Sequence, residues 1–149
     1  MSTQDDSFYS SCLNKQAQLC SIFNKLASRE MKYEKIIAMG KDLPFFDPLF
    51  KIESNLVRGC QSEMFLRSQS FDGKMVFSVF SEALISSGLA ALLLFVYNNE
   101  SPECLLKIPP TFLKEIDIYV YLTPSRSNGL NSLHLKMKQE AMKTILNHH

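Results

Sequence analysis

The stretch Glu63–Phe80, EMFLRSQSFDGKMVFSVF, decides the fold class. EMFLRSQ and KMVFSVF are rich in residues that suit a pleated surface, and SFDG between them holds a turn ending at Gly73. The pattern predicts an antiparallel hairpin. Outward from it the signals become helical. Ser81 and Glu82 stand ready to cap an apolar helix running through Tyr97, hydrophobic nearly all round and so expected at the centre of the core.

Upstream, Cys12, Leu19, Cys20, Phe23, Leu26 and Ala27 fall on one face of a helix, which predicts that both cysteines are core residues. SREMKYEKIIAMG predicts a second helix with Ser28 as N-cap and Gly40 ending it. Pro44 and Pro48 among aromatics predict an ordered loop leading toward Cys60. Downstream, Ser101-Pro102 and Pro109-Pro110 favour two short helical starts, with Cys104 packed there. A last helix starting near Asn128 carries Leu130, Leu133, Met137, Ala141 and Ile145 on one stripe, and His148 and His149 are expected to fray. The elements predict an α+β fold: a small antiparallel sheet of about three strands covered by helices.

Composition narrows the function classes. A chain of 149 residues, 46% apolar and 21% charged, has the proportions of one folded domain, so residues 1–149 are expected to form a single unit. With 16 basic against 15 acidic residues, no excess positive charge exists to drive counterion release from nucleic acid. The apolar run Leu89–Tyr97 is too short to span a bilayer. MSTQDDSFYS lacks the basic and apolar regions of a signal peptide, which predicts a cytoplasmic protein with no membrane partner. Cysteines 12, 20, 60 and 104 form no CxxC pair, so free thiols are expected. Neither a metal site nor a bound cofactor is demanded by these residues.

The chemistry points to NLVRGCQSEMFL, residues 55–66. It resembles the SufE family of sulfur-acceptor proteins through Asn55, Val57, Gly59, Cys60, Gln61 and Ser62. KYEKIIAMGKDLP, GLAALLLFVY and LTPSRSNGL (Leu122–Leu130) are similar to SufE segments in the same order, so the resemblance covers nearly the whole chain. It implies a SufE/IscU-like fold. It further implies a protein that is not itself an enzyme. It would take sulfane sulfur onto Cys60 from a pyridoxal-phosphate cysteine desulfurase of the SufS type, stimulate that enzyme, and pass the sulfur to a SufB-like iron-sulfur scaffold. A homodimer is left open. Phe65 stands where the family usually has Trp, and Phe80-Ser81 where its members are more polar; both bear on partner choice.

Around Cys60, Gly59 permits a tight backbone turn, while Gln61 and Ser62 offer donors for a thiolate or persulfide, or else cap local backbone. Arg58 is expected to be solvated and directed away from the thiol. Arg126, where the family also has Arg, is the candidate to stabilise the persulfide anion or contact the desulfurase; its ordinary alternative is an ion pair with an acidic residue. Three rival readings stand. A metal or iron-sulfur scaffold needs several soft ligands brought together. A cysteine hydrolase needs a base, for which His134, expected half-exposed, is the sole internal histidine. A bare adaptor would stimulate a desulfurase without carrying sulfur. Cys60 is expected to rest sheltered and to turn outward when the desulfurase docks.

Overall fold

The computed structural model describes residues 8–147, so Met1–Ser7 and the terminal pair His148 and His149 lie outside the described residues. Strands β1 (Met64–Phe71) and β2 (Lys74–Ser81) pair antiparallel, with Met64 opposite Ser81 and Phe71 opposite Lys74. A two-residue connection therefore joins them. Asp72 and Gly73 both have positive φ, 52° and 76°, the geometry whose twist matches that of the strands it connects. Met75, Phe77 and Val79 alternate into the core, as a half-buried strand requires.

The sheet has two strands where about three were expected. Leu56 bridges Phe65, and Val57 N–H donates to the Met64 carbonyl at 2.8 Å, so a third strand begins beside β1. It ends at once. A 3-10 turn at Glu53–Asn55 precedes the bridge and Gly59, with φ of 88°, follows it, which limits the pairing to a single bridge.

Helix α3 (Leu84–Tyr97) packs on β2, and α1 (Ser10–Asn24) and α2 (Arg29–Lys41) pack on α3. As its composition predicts, α3 is the centre of the core, with Leu89–Leu94, Val96 and Tyr97 buried. It starts two residues later than the Ser81-Glu82 cap implies. Ser81 Oγ accepts from Ala83 N–H and the Ser81 carbonyl accepts from Ser87 Oγ, so Ser81 closes the turn ahead of the helix. Ser28 caps α2 as predicted, accepting from Met31 N–H. Gly40, however, lies inside α2 and does not end it. Its role is contact: a Cβ on Gly40 would sit 2.5 Å from Gly88 N, and one on Gly88 would run into the Ile36 carbonyl. The two helices meet backbone to backbone.

Helix α4 (Pro102–Lys107) starts at Pro102, capped by Ser101, and α5 (Phe112–Glu115) starts just after Pro109-Pro110. The last helix, α6 (Pro124–Asn147), starts four residues before Asn128. Pro124 suits a first helical position, and Thr123 Oγ1 accepts from Arg126 N–H at 3.4 Å in the manner of an N-cap. Leu130, Leu133, Met137 and Ala141 are its buried stripe. Cys12 and Cys104 are buried as predicted, but Cys20 is only half-buried, turned to the side of the stripe where its thiol donates to Glu115 Oε2 at 2.9 Å. No described helix is long and apolar enough to cross a membrane.

The α2–α3 contact predicts that Gly88→Ala lowers the unfolding free energy by about 3 kcal/mol, at the upper end for overpacking because backbone must yield. Urea titration of the variant checks this; a loss below about 1 kcal/mol would contradict it.

Candidate functional site

The hairpin and α6 together position Cys60. The chain leaves the Leu56–Phe65 bridge, turns at Gly59 and returns into β1, so the thiol rides a short connection between fixed points. Its side chain is half-buried, with Sγ 3.9 Å from the Gly129 carbonyl of α6. Gly129 favours that approach, since a Cβ there would lie 3.2 Å from Cys60 Sγ and press the sulfur outward. Gly59 likewise faces α6, and a Cβ on it would fall 2.8 Å from Ser132 Oγ.

Beside the thiol lies a small pocket of about 70 Å³. Cys60, Ser62, Ser86, Ser125 and Arg126 give it polar walls, and Met64, Leu89 and Leu133 an apolar floor. Arg126, singled out from LTPSR, shares this pocket with a cysteine far away in sequence. Its guanidinium makes no hydrogen bond or ion pair among the described residues, so the expected alternative of an ion pair is not realised. Gln61 and Ser62 do not hydrogen-bond the sulfur. Gln61 instead accepts from Ser125 Oγ at 3.1 Å, tying the loop to α6, while Ser62 lines the pocket. Arg58 points away and meets Glu53 at 3.3 Å on the surface; in an extended segment residues 58 and 60 would share a face, and the turn at Gly59 is what separates them.

Burial pushes the Cys60 thiol above the ordinary cysteine value, and the acceptor beside it, the Gly129 carbonyl oxygen, suits only the protonated form. The free protein therefore holds a neutral, sheltered thiol. The other three cysteines face different partners. Cys12 and Cys104 are buried against each other, their shared hydrogen bond holding Cys12 down and Cys104 up. Burial and Glu115 push Cys20 to about 11.

His134, the candidate hydrolase base, is absent from the pocket lining. It is more enclosed than expected: the ring stacks on Tyr97 at 5.6 Å between centroids, and Nε2 is buried with no hydrogen-bond partner among the described residues. Burial, with Lys138 adding repulsion, lowers it to about 4. Among the described residues no three His, Cys, Asp or Glu side chains gather as a metal site would require.

Comparison with known proteins places this geometry in a family. The model of the SufE family, described as an Fe-S metabolism associated domain, matches residues 17–141. The chain belongs to the SufE family. An uncharacterized SufE-like protein of Synechocystis is 30% identical over 126 residues, covering 85% of this chain and 79% of that one. A SufE-like protein 1, chloroplastic/mitochondrial, of Arabidopsis thaliana is 31% identical over 130 residues, spanning 86% of this chain but only 35% of that longer protein. The solution structure of a hypothetical protein from Thermus thermophilus superposes with a TM-score of 0.75 at 25% identity, covering 89% of this chain and 96% of that one.

In this SufE-family chain, Phe65 is buried opposite Phe80, whose ring meets Phe46 at 6.2 Å and Lys51 Nζ at 3.4 Å. The proline-rich loop thus packs on the hairpin beside the site. Sequence reasoning missed Ser86, Gly129 and Ser132. Gly129 and Ser132 follow Ser125 by about one and two helical turns, at i+4 and i+7, a spacing that would have put the three on one face once the helix was started at Pro124.

Two pH dependences follow. Alkylation of Cys60 in the free protein, resolved by peptide mass, should still be rising at pH 9.0, the ordinary cysteine value; a plateau by pH 8 would contradict a raised pKa. For His134, whose folded value is depressed, the stabilisation is complete above its ordinary value of 6.5 and is lost as pH falls toward about 4. His134→Phe keeps the stack on Tyr97 and should lose less stability than wild type between pH 7 and 4; equal losses in urea titrations would count against burial of a neutral ring.

Proposed function

We propose that this SufE-family protein of iron-sulfur metabolism is a covalent sulfur carrier. The Cys60 thiolate attacks the terminal sulfur of a persulfide on a SufS-like, pyridoxal-phosphate cysteine desulfurase. The Cys60 S–S bond forms, the donor S–S bond breaks, and the donor cysteine leaves as thiolate. Relieving the desulfurase of its sulfur stimulates turnover, and the Cys60 persulfide is then delivered to a SufB-like iron-sulfur scaffold. The setting is the reducing cytoplasm, where a thiol of this kind stays free to react.

One observation carries the reading: Cys60 alone of the four thiols shares a surface-connected pocket with a guanidinium that has no other partner among the described residues. A persulfide is more acidic than a thiol, so its terminal sulfur is anionic near neutral pH and is suited by a fixed positive charge and nearby hydroxyls. Arg126 supplies the charge, and the pocket lined by Ser62 and Gly129 leaves the sulfur room to extend. The half-buried resting thiol fits a carrier whose attack is enabled by docking. A scaffold of IscU-like fold is the alternative reading, but Cys12, Cys20 and Cys104 are engaged with partners other than Cys60.

Incubation with a desulfurase, its cofactor and L-cysteine should add reductant-labile sulfur to the intact mass of wild type and none to Cys60→Ala. An unchanged wild-type mass would leave only an adaptor role. Arg126→Ala should accept sulfur about ten-fold more slowly, the scale of one lost charge-assisted hydrogen bond, with stability nearly unchanged. Equal transfer rates would remove Arg126 from the site.

A further inference from the structure

Three contacts lay the cysteine loop along a single face of α6. Ser125 Oγ donates to Gln61 Oε1 at 3.1 Å, Cys60 Sγ lies 3.9 Å from the Gly129 carbonyl, and Ser132 Oγ fills the space a Cβ on Gly59 would need, 2.8 Å away. Ser125, Gly129 and Ser132 stand at i, i+4 and i+7, the repeat of one helix face. Loop residues 61, 60 and 59 meet them in reverse order, so the loop runs antiparallel to the helix with each residue set against the next turn.

We propose that Ser125, Gly129 and Ser132 are positioning residues that together fix the resting depth of Cys60. The seat is close because each side lacks a Cβ at one crossing: Gly59 in the loop, at φ 88°, and Gly129 in the helix. It is also weakly closed. The single side-chain hydrogen bond that latches it, Ser125 to Gln61, is exposed to water, which replaces it readily. Depth and release are thus set by different residues, depth by Gly129 and Ser132, release by Ser125. The inference rests on the carrier reading only for why the resting depth matters.

The test uses the full chain alone, with no desulfurase, so failure here leaves the carrier reading intact, and failure of sulfur acceptance leaves the seat intact. Iodoacetamide labelling of Cys60 is followed by peptide mass in wild type, Ser125→Ala, Ser125→Thr and Gly129→Ala, with half-buried Cys20 as an internal monitor of general loosening. Ser125→Ala should label Cys60 about five-fold faster, the effect of one net hydrogen bond, and Ser125→Thr should restore the wild-type rate. Gly129→Ala, whose methyl would stand 3.2 Å from Sγ, should also accelerate labelling by pushing the sulfur outward. Ser125→Ala removes only a hydroxyl and keeps the test available should Gly129→Ala fail to fold. Unchanged Cys60 rates in Ser125→Ala, or equal acceleration of Cys60 and Cys20, would overturn the proposal.

Discussion

The approach of Gly59–Gln61 to the first turns of α6 is the constraint on which the site depends. It needs the helix to start at Pro124, early enough for Ser125 and Arg126 to be helical, and it is favoured by glycine on both sides of the contact. The scaffold behind it is built for such closeness. Gly40 and Gly88 bring α2 against α3, and Leu89 and Ala90 of α3 then form part of the wall beneath the thiol. Packing far from the sulfur thereby sets how much room the sulfur has.

Protection and reactivity pull in opposite directions at Cys60. Burial favours the neutral thiol, which slows both oxidation and the attack that a carrier must make. The proposed resolution separates them in time: the loop is seated while the protein is free and lifted when a donor is present. Because the seat is held by an exposed hydrogen bond and by van der Waals contact, a docking partner has little to overcome. The other thiols lack this option. Cys12 and Cys104 are locked in the core, and Glu115 opposes ionisation of Cys20.

Much of this was legible in the chain because local chemistry wrote it there. The strand runs around Asp72-Gly73, the Ser28 cap and the apolar length of α3 each have one physical solution, and the structure adopts it. The family resemblance likewise led to Cys60 and Arg126, which the fold brings to one pocket across a wide gap in sequence. What escaped notice depends on long-range proximity. Gly40 carries the signal of a helix end, and only the presence of Gly88 opposite makes it a crossing point. Cys20 shares a wheel face with Leu19, yet Glu115 draws its thiol to the surface. The third strand failed because Gly59 turns the chain toward α6; the glycine announces a turn, but its direction depends on Ser132, distant in sequence.

The central claim is that one thiol of four carries the sulfur. Tryptic cleavage after Arg58 and Arg67 releases Gly59–Arg67, a peptide containing Cys60 and no other cysteine. Following reaction with desulfurase and sulfur-labelled L-cysteine, then alkylation to trap persulfides, the label should reside in that peptide alone. Label distributed over the peptides bearing Cys12, Cys20 or Cys104, or found there in place of Cys60, would contradict the account.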